Sequence, residues 1–357
     1  MIKIKKIIKI LTSYPVPFVF LIISLLGLWI SEIPLPIFLN DIIIRMARNT
    51  FLVLSLIIPV VVGLGLNFAI VIGAMAGQIG AMISVELGLT GFIAFIVACF
   101  MAFPLAIFFG FLVGKLFNIA KGREMITGFI AGFFANGIYQ FIFLFLAGSL
   151  IPFRNPILLL SQGWGVRSVV DLHNLQYSID SLWRIKFFLG EYFINVPLST
   201  FILIAFLAIS INFFLKTKLG QEFRAIGQDP HISLVYGINV DKNRILATII
   251  SIVLASIGQL IFLQNLGTMN TYSSHEQVGL FSIAALLVGG ASVQRATVLN
   301  AILGTFLFHT LFIISPQAGQ KLFGQPQVGE YFRVFIAYGI IALTLALHAM
   351  KRKEFLK

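Results

Sequence analysis

Apolar side chains along this chain fall into long unbroken runs rather than the short periodic segments of a water-soluble fold. Runs long enough to cross a bilayer of about 20 helical residues begin at about Tyr14 to Ile30, Thr50 to Leu66, Phe68 to Leu87, Phe92 to Phe117 and Met125 to Ala147. Five more follow at about Leu198 to Leu215, Ile245 to Leu266, Gly279 to Gly290, Ala296 to Ile314 and Tyr331 to Met350. The eighth is too short for a regular crossing, which leaves room for a tilted, broken or re-entrant helix. The pattern predicts an all-α integral membrane protein, a polytopic bundle of about ten transmembrane helices forming one domain over residues 1–357. With ten crossings, spans two to five and seven to ten run in opposite senses, the parity of inverted repeats.

Polar connections between the runs set the orientation. With the N-terminus in the cytoplasm, 17 of the 25 Lys and Arg residues fall inside. Arg45, Arg48, Arg154, Arg167, Arg184, Lys186, Lys321 and Arg333 fall outside, which follows the positive-inside bias and puts both termini in the cytoplasm. Residues 1–13 form a basic cytoplasmic start, in which Ile4, Ile7, Ile8 and Leu11 share one helical face suited to an anionic leaflet; the same residues read equally as a plain basic flank to the first span. Residues 148–197, with Trp164 and Trp183, read as an external loop carrying interfacial helices.

Composition narrows the picture further. The chain is 59% hydrophobic and 11% charged, with a mean hydropathy of +1.01, so it lacks the polar side chains to coat a soluble globule of its length. Its net charge of +12 is scattered between apolar runs instead of gathered with aromatics, which argues against a nucleic-acid partner. Cys99 is the only cysteine, so no intrachain disulfide forms. No phosphate loop, HExxH or GxSxG pattern occurs, so the sequence points to no catalytic residue, no metal site and no bound cofactor. Paired glycines four residues apart, Gly73 and Gly77, Gly110 and Gly114, Gly128 and Gly132, predict close helix contacts. Amides inside spans, Asn67, Gln78, Asn136 and Gln140, are the candidate lining of a polar pathway.

The most ordered polar stretch is residues 216–244, KTKLGQEFRAIGQDPHISLVYGINVDKNR. Gly220 precedes a helical piece through Arg224 and Ala225, Gly227 interrupts it, Asp229 and Pro230 start a second, and Gly237 ends it. Two short helices joined by a turn can dock as a lever on another protein, with Ile226, Leu234, Val235 and Tyr236 as apolar contacts. This segment resembles the permeases of ATP-binding-cassette importers of the branched-chain amino acid, simple-sugar and nucleoside group. LNFAIVIGAMAGQIGAMI, NIAKGREMITGFIAGFFANGIYQFI and FSIAALLVGGASVQRATVLNAILGTFLF resemble other stretches of its nucleoside and simple-sugar branch.

The resemblance implies a permease subunit of such an importer, in a bacterial cytoplasmic (inner) membrane, conducting a small polar solute of the nucleoside or simple-sugar class. Gly220, Arg224, Ala225, Gly227, Pro230 and Gly237 would belong to the loop that contacts a separate ATPase subunit, where ATP is hydrolysed. A second permease chain, identical or paralogous, and an extracytoplasmic substrate-binding protein would complete the complex. A permease for branched-chain amino acids or a vitamin is the near alternative. The more distant one is an ion-coupled secondary transporter, but the apolar runs carry almost no acidic group to bind a coupling ion.

Overall fold

The computed structural model describes residues 15–355, with the side chains of 344, 345 and 347–355 left aside; the basic start at residues 1–13 lies outside that range. The chain is mostly helical and divides into two compact units. Of the described residues, one unit comprises 15–46, 185–196 and 281–355, the other 47–184 and 197–280.

The larger unit is built from the second half of α2 (Leu35–Ser55), α3 (Ile57–Val61), α4 (Ile70–Glu86), α5 (Gly91–Ile119) and α6 (Glu124–Phe141), which runs on into a wide turn over Ile142–Leu146. After a long loop holding β1 (Val169–Asp171) come α7 (Leu198–Phe214), α8 (Lys218–Gln228), α9 (Pro230–Val235), α10 (Val240–Leu266) and β4 (Thr268–Asn270), which pairs antiparallel with β1. The first residues of α11 (Ser274–Val288) close the unit. Glycine lets its three central helices meet backbone to backbone. A Cβ added at Gly73 would sit 2.5 Å from Ile252 O, one at Gly77 2.5 Å from Ser256 O, and ones at Gly110 and Gly114 2.8 Å from the Cα atoms of Ile249 and Ile245. Without an apolar solvent penalty between helices in lipid, such close van der Waals contact is what holds them together. Phe100, Phe108, Phe134 and Phe206 are exposed on the outer faces, as lipid-facing residues are.

The smaller unit packs α12 (Val298–Phe323) against α1 (Pro15–Ser31) and α13 (Pro326–Phe355). Thr297 and Asn300 form a reciprocal cap that fixes the start of α12, and Gly324 at φ +71° ends it. Gly319 and Gly329 bring α12 and α13 together across the turn, a Cβ on Gly319 meeting Gly329 N at 2.5 Å. The β2 (Arg184–Leu189) and β3 (Tyr192–Pro197) hairpin also belongs largely here.

Three expectations change. The second span begins at Leu35 instead of Thr50: the helices from Leu35 to Val61 form one 27-residue candidate span. Asn40, Asp41, Arg45, Arg48 and Asn49 depress the hydropathy of its first half, but they lie on a continuous helix, so Arg45 and Arg48 are helix residues rather than loop charges. The 148–197 loop holds short strands in place of the expected interfacial helices. Among the described residues, five helices can cross a membrane by length and composition, six if α7 and α8, bent by 73°, count as one. Pro15–Ser31, Ile70–Glu86 and Ser274–Val288 are apolar but shorter, so the expected ten is not reached on that criterion.

Candidate functional site

The loop expected to hold two short helices does so, with different seams. α8 starts at Lys218, capped by Thr217 Oγ1, which accepts from Gly220 N at 3.3 Å, so Gly220 lies inside the helix. Its Cβ would collide with Phe214 O and lie 2.6 Å from Leu215 Cα; the absent side chain lets α8 fold back tightly against the end of α7. Phe223 and Ile226 are fully buried, Phe223 edge-on to Phe214 at 5.5 Å. Ile226 is therefore an internal anchor rather than a contact for a partner.

Gly227 does not interrupt α8, which runs to Gln228. Its role is a close crossing: a Cβ there would overlap Val61 O and lie 3.3 Å from Gly63 N, while Gly63 itself sits at φ +83°. The break falls at Asp229, whose extended backbone and side chain, accepting from His231 N at 2.8 Å and Ile232 N at 3.0 Å, cap α9 beginning with Pro230. Gly237 ends α9 at φ +78°, a left-handed position that only glycine adopts without cost. Arg224 is exposed and Ala225 half-buried.

α8 is thus bolted to the larger unit on one face, and α9 projects. On it Ile232, Leu234, Val235 and Tyr236 are 56%, 55%, 86% and 82% exposed. Lys216, Lys218, Arg224 and Lys242 flank this apolar tip, which suits a soluble protein surface better than hydrocarbon. α10 begins at Val240, with Asn239 Oδ1 accepting from Lys242 N at 3.0 Å, so the connection is shorter than 216–244. Arg244 is buried: it pairs with Glu124, and its Nε donates to Asn118 Oδ1 at 2.9 Å and its Nη2 to Phe117 O at 3.1 Å. That ion pair joins α5, α6 and α10.

A second polar constellation lies inside the helices. Gln78 of α4 donates from Nε2 to Ser274 Oγ at 2.6 Å and accepts at Oε1 from Tyr139 OH at 3.1 Å. His275 places Nδ1 2.9 Å from Gln78 Oε1 and Nε2 2.9 Å from Asn136 Oδ1, and Asn136 Nδ2 donates to Glu276 Oε1. Gln259 of α10 donates to Ser274 Oγ at 3.4 Å. Gln78 lies eight residues before the end of α4 and Gln259 seven before the end of α10, so both stand about 10–12 Å inside the helix ends that face the 148–197 loop. Those ends are tied to the loop: Glu86 accepts from Arg154 N at 2.8 Å and Asn155 N at 3.0 Å.

Of the four amides singled out in the sequence, Gln78 and Asn136 therefore meet. Asn67 is used elsewhere, donating to Ser251 Oγ at 3.1 Å and accepting from Ala69 N at 3.1 Å in the turn before α4. Gln140 is half-buried and outside the network. Tyr139, Gln259, Ser274, His275 and Glu276 were not anticipated. The polar stretch Ser273–Gln277 stands directly before an apolar run that is too short, the signal that the eighth helix starts earlier. Glu276 also removes the apparent lack of acidic groups within the helices. Among the described residues no group of three His, Cys, Asp or Glu side chains could hold a metal ion.

The sequence profile of the family described as "Branched-chain amino acid transport system / permease component" matches residues 38–345. The chain is 30% identical over 121 residues to the probable ABC transporter permease protein YphD of Escherichia coli strain K12, covering 33% of this chain and 36% of that protein. It is 25% identical over 162 residues to the xylose transport system permease protein XylH of Haemophilus influenzae, 45% of this chain and 41% of the relative. With the nucleoside ABC transporter permease protein NupC of Lactococcus lactis it shares 28% identity over 146 residues, 41% and 44% of the two chains. The matches thus span under half of each relative's length. No solved structure matches the chain.

Proposed function

This chain belongs to the branched-chain amino acid transport system permease component family, and from that premise we propose that it is the membrane-spanning permease subunit of an ATP-binding-cassette importer. The observation that carries the reading is the α8–α9 elbow: a helix fixed to the helical bundle by Phe223, Ile226 and Gly227, and a second that offers an unburied apolar tip among basic residues. A lever of this kind passes a partner's movement to the helices it is bolted to. The partner is an ATPase subunit that closes on nucleotide and, through α9, tilts α8 against Val61 and Gly63. Alternating access then follows from the two arrangements of the bundle, each favoured by a different nucleotide state. This chain contributes path and lever, and the ATP chemistry belongs to the partner.

Counting the three short apolar helices and α13 with the six gives ten crossings, an even number that puts both termini on one side, and the positive-inside bias makes that side the cytoplasm. α4 need not reach full span length, because most of the 62–69 turn before it is buried in protein. The solute is a small polar metabolite of the simple-sugar or nucleoside class, supported by the xylose and nucleoside relatives. A second permease chain and an extracytoplasmic binding protein complete the importer.

The test is purification from native membranes in mild detergent, with mass spectrometry of what co-purifies. Wild type recovers an ATP-binding-cassette ATPase, and Gly227→Val, which drives a side chain into Val61 O, loses it while the chain stays folded. A stable particle that never contains an ATPase contradicts the reading.

A further inference from the structure

Around Glu276 and Gln259 the amide donors are already engaged. Gln78 Nε2 is spent on Ser274, Gln259 Nε2 on Ser274, and Asn136 Nδ2 on Glu276 Oε1. Two acceptors are left over. Glu276 is half-buried at the edge of the network, and no hydrogen bond holds its Oε2 among the described residues. Gln259 is fully buried, and its Oε1 has no hydrogen-bond partner. Gln259 Oε1 is a buried acceptor without a donor, which is costly, and the half-buried Glu276 leaves a carboxylate oxygen open in the same polar cluster; together they point to a ligand that brings donors. Tyr139, Gln78 and Asn136 hold the carboxylate's neighbours from α4 and α6, so the orientation of Glu276 is fixed from behind rather than left to a free side chain.

The remaining chemistry restricts that ligand. Hydroxyl groups donate to a carboxylate and to an amide oxygen alike. An anion is repelled by Glu276 in a medium of low dielectric, and two acceptors of which one is an uncharged amide oxygen match the hydroxyl donors of a neutral solute. We propose that Glu276 is the selectivity carboxylate of the translocation path: it accepts hydrogen bonds from the hydroxyls of a neutral solute and turns anionic solutes away. Asn136, His275 and Gln78 are positioning residues behind it, and Gln259 Oε1 is the second acceptor. This assignment rests on the permease reading.

The experiment uses the complete transporter expressed in cells, with radiolabelled D-xylose, D-galactose and uridine as neutral probes and D-galactose 1-phosphate and uridine 5′-monophosphate as anionic ones. Assembly of every variant is judged by co-purification of the ATPase subunit. Wild type takes up at least one neutral probe and neither phosphate. Glu276→Gln, which keeps shape and removes charge, raises KM for that probe roughly 10-fold or more through loss of a charge-assisted hydrogen bond, with a smaller change in maximal rate, and lessens the discrimination against its phosphate. Glu276→Asp recovers part of the KM. Asn136→Ala shifts KM in the same direction, whereas a merely structural amide would lower assembly without that shift. An unchanged KM in Glu276→Gln, wild-type uptake of the phosphates, or no uptake of any neutral probe overturns the assignment while leaving a particle that contains the ATPase intact. A particle without ATPase overturns the permease reading and this assignment with it.

Discussion

At the scale of single residues, the sharpest constraints are buried charges whose partners come from distant segments. Arg244 was readable only as one more cytoplasmic cation, because nothing in its neighbourhood shows that Glu124 and Asn118, more than a hundred residues earlier, converge on it. Removing one partner strands the other in a poorly solvated place. Glu124→Ala or Arg244→Ala should each cost about 3–5 kcal/mol of stability, while replacing both with Leu should recover most of that loss. Thermal unfolding of the three variants in detergent decides it. Asp180 poses the same case in the larger unit: it accepts from Thr200 Oγ1, from Gln264 Nε2 at 3.0 Å and from Asn265 Nδ2 at 2.7 Å. Asp180→Ala leaves three buried donors unpaired and should lower stability by at least about 2 kcal/mol, measured in the same way. The Gly73–Gly77 and Gly110–Gly114 pairs were legible, since spacing marks close helix contact, but in the Gly128–Gly132 pair Gly132 makes no such contact, a Cβ there coming no nearer than 3.7 Å, to Phe68 O, and spacing did not show that Gly227 serves a crossing with the Val61–Gly63 turn.

Among the elements, nearly all the helices were visible as apolar runs, and their ends were the weaker part. α2, α10 and α11 each start earlier than hydropathy suggests, because Asp41, Arg45, Asn243, Arg244, His275 and Glu276 find polar or charged partners inside the helical ends, and an average over hydropathy cannot register partners. α9 shows the converse. Its cap and stop, Asp229, Pro230 and Gly237, are local chemistry and could be read directly, while the division between the anchored Ile226 and the free Val235 and Tyr236 depends on what α8 packs against. That division makes a prediction. Val235→Asp and Tyr236→Asp should leave folding and membrane insertion intact and reduce ATPase recovery several-fold, whereas Ile226→Asp should destabilise the chain itself. Comparing elution profiles with the ATPase retained on each separates the two effects.

For the whole molecule, the proposed ten crossings with cytoplasmic termini would place positions 192 and 236 on opposite sides of the membrane. In a Cys99→Ala background, Tyr192→Cys should react with an impermeant maleimide in intact cells and Tyr236→Cys only after the membrane is opened; the reverse pattern refutes the orientation. The membrane class and the elbow's existence followed from the sequence. The polar network did not, because its members come from four helices and the decisive His275 and Glu276 sit in front of a run that is too short to announce them.

The most direct measurement of the central claim is a photo-crosslink from the tip of α9. With a benzophenone amino acid at Val235 in the intact complex in native membranes, irradiation should give one major adduct, whose mass spectrum contains peptides of an ATP-binding-cassette ATPase. Loss of that adduct in the Gly227→Val background would show that the elbow must be seated for the contact to form. Adducts with lipid alone, or with a protein that lacks a nucleotide-binding site, would contradict the account.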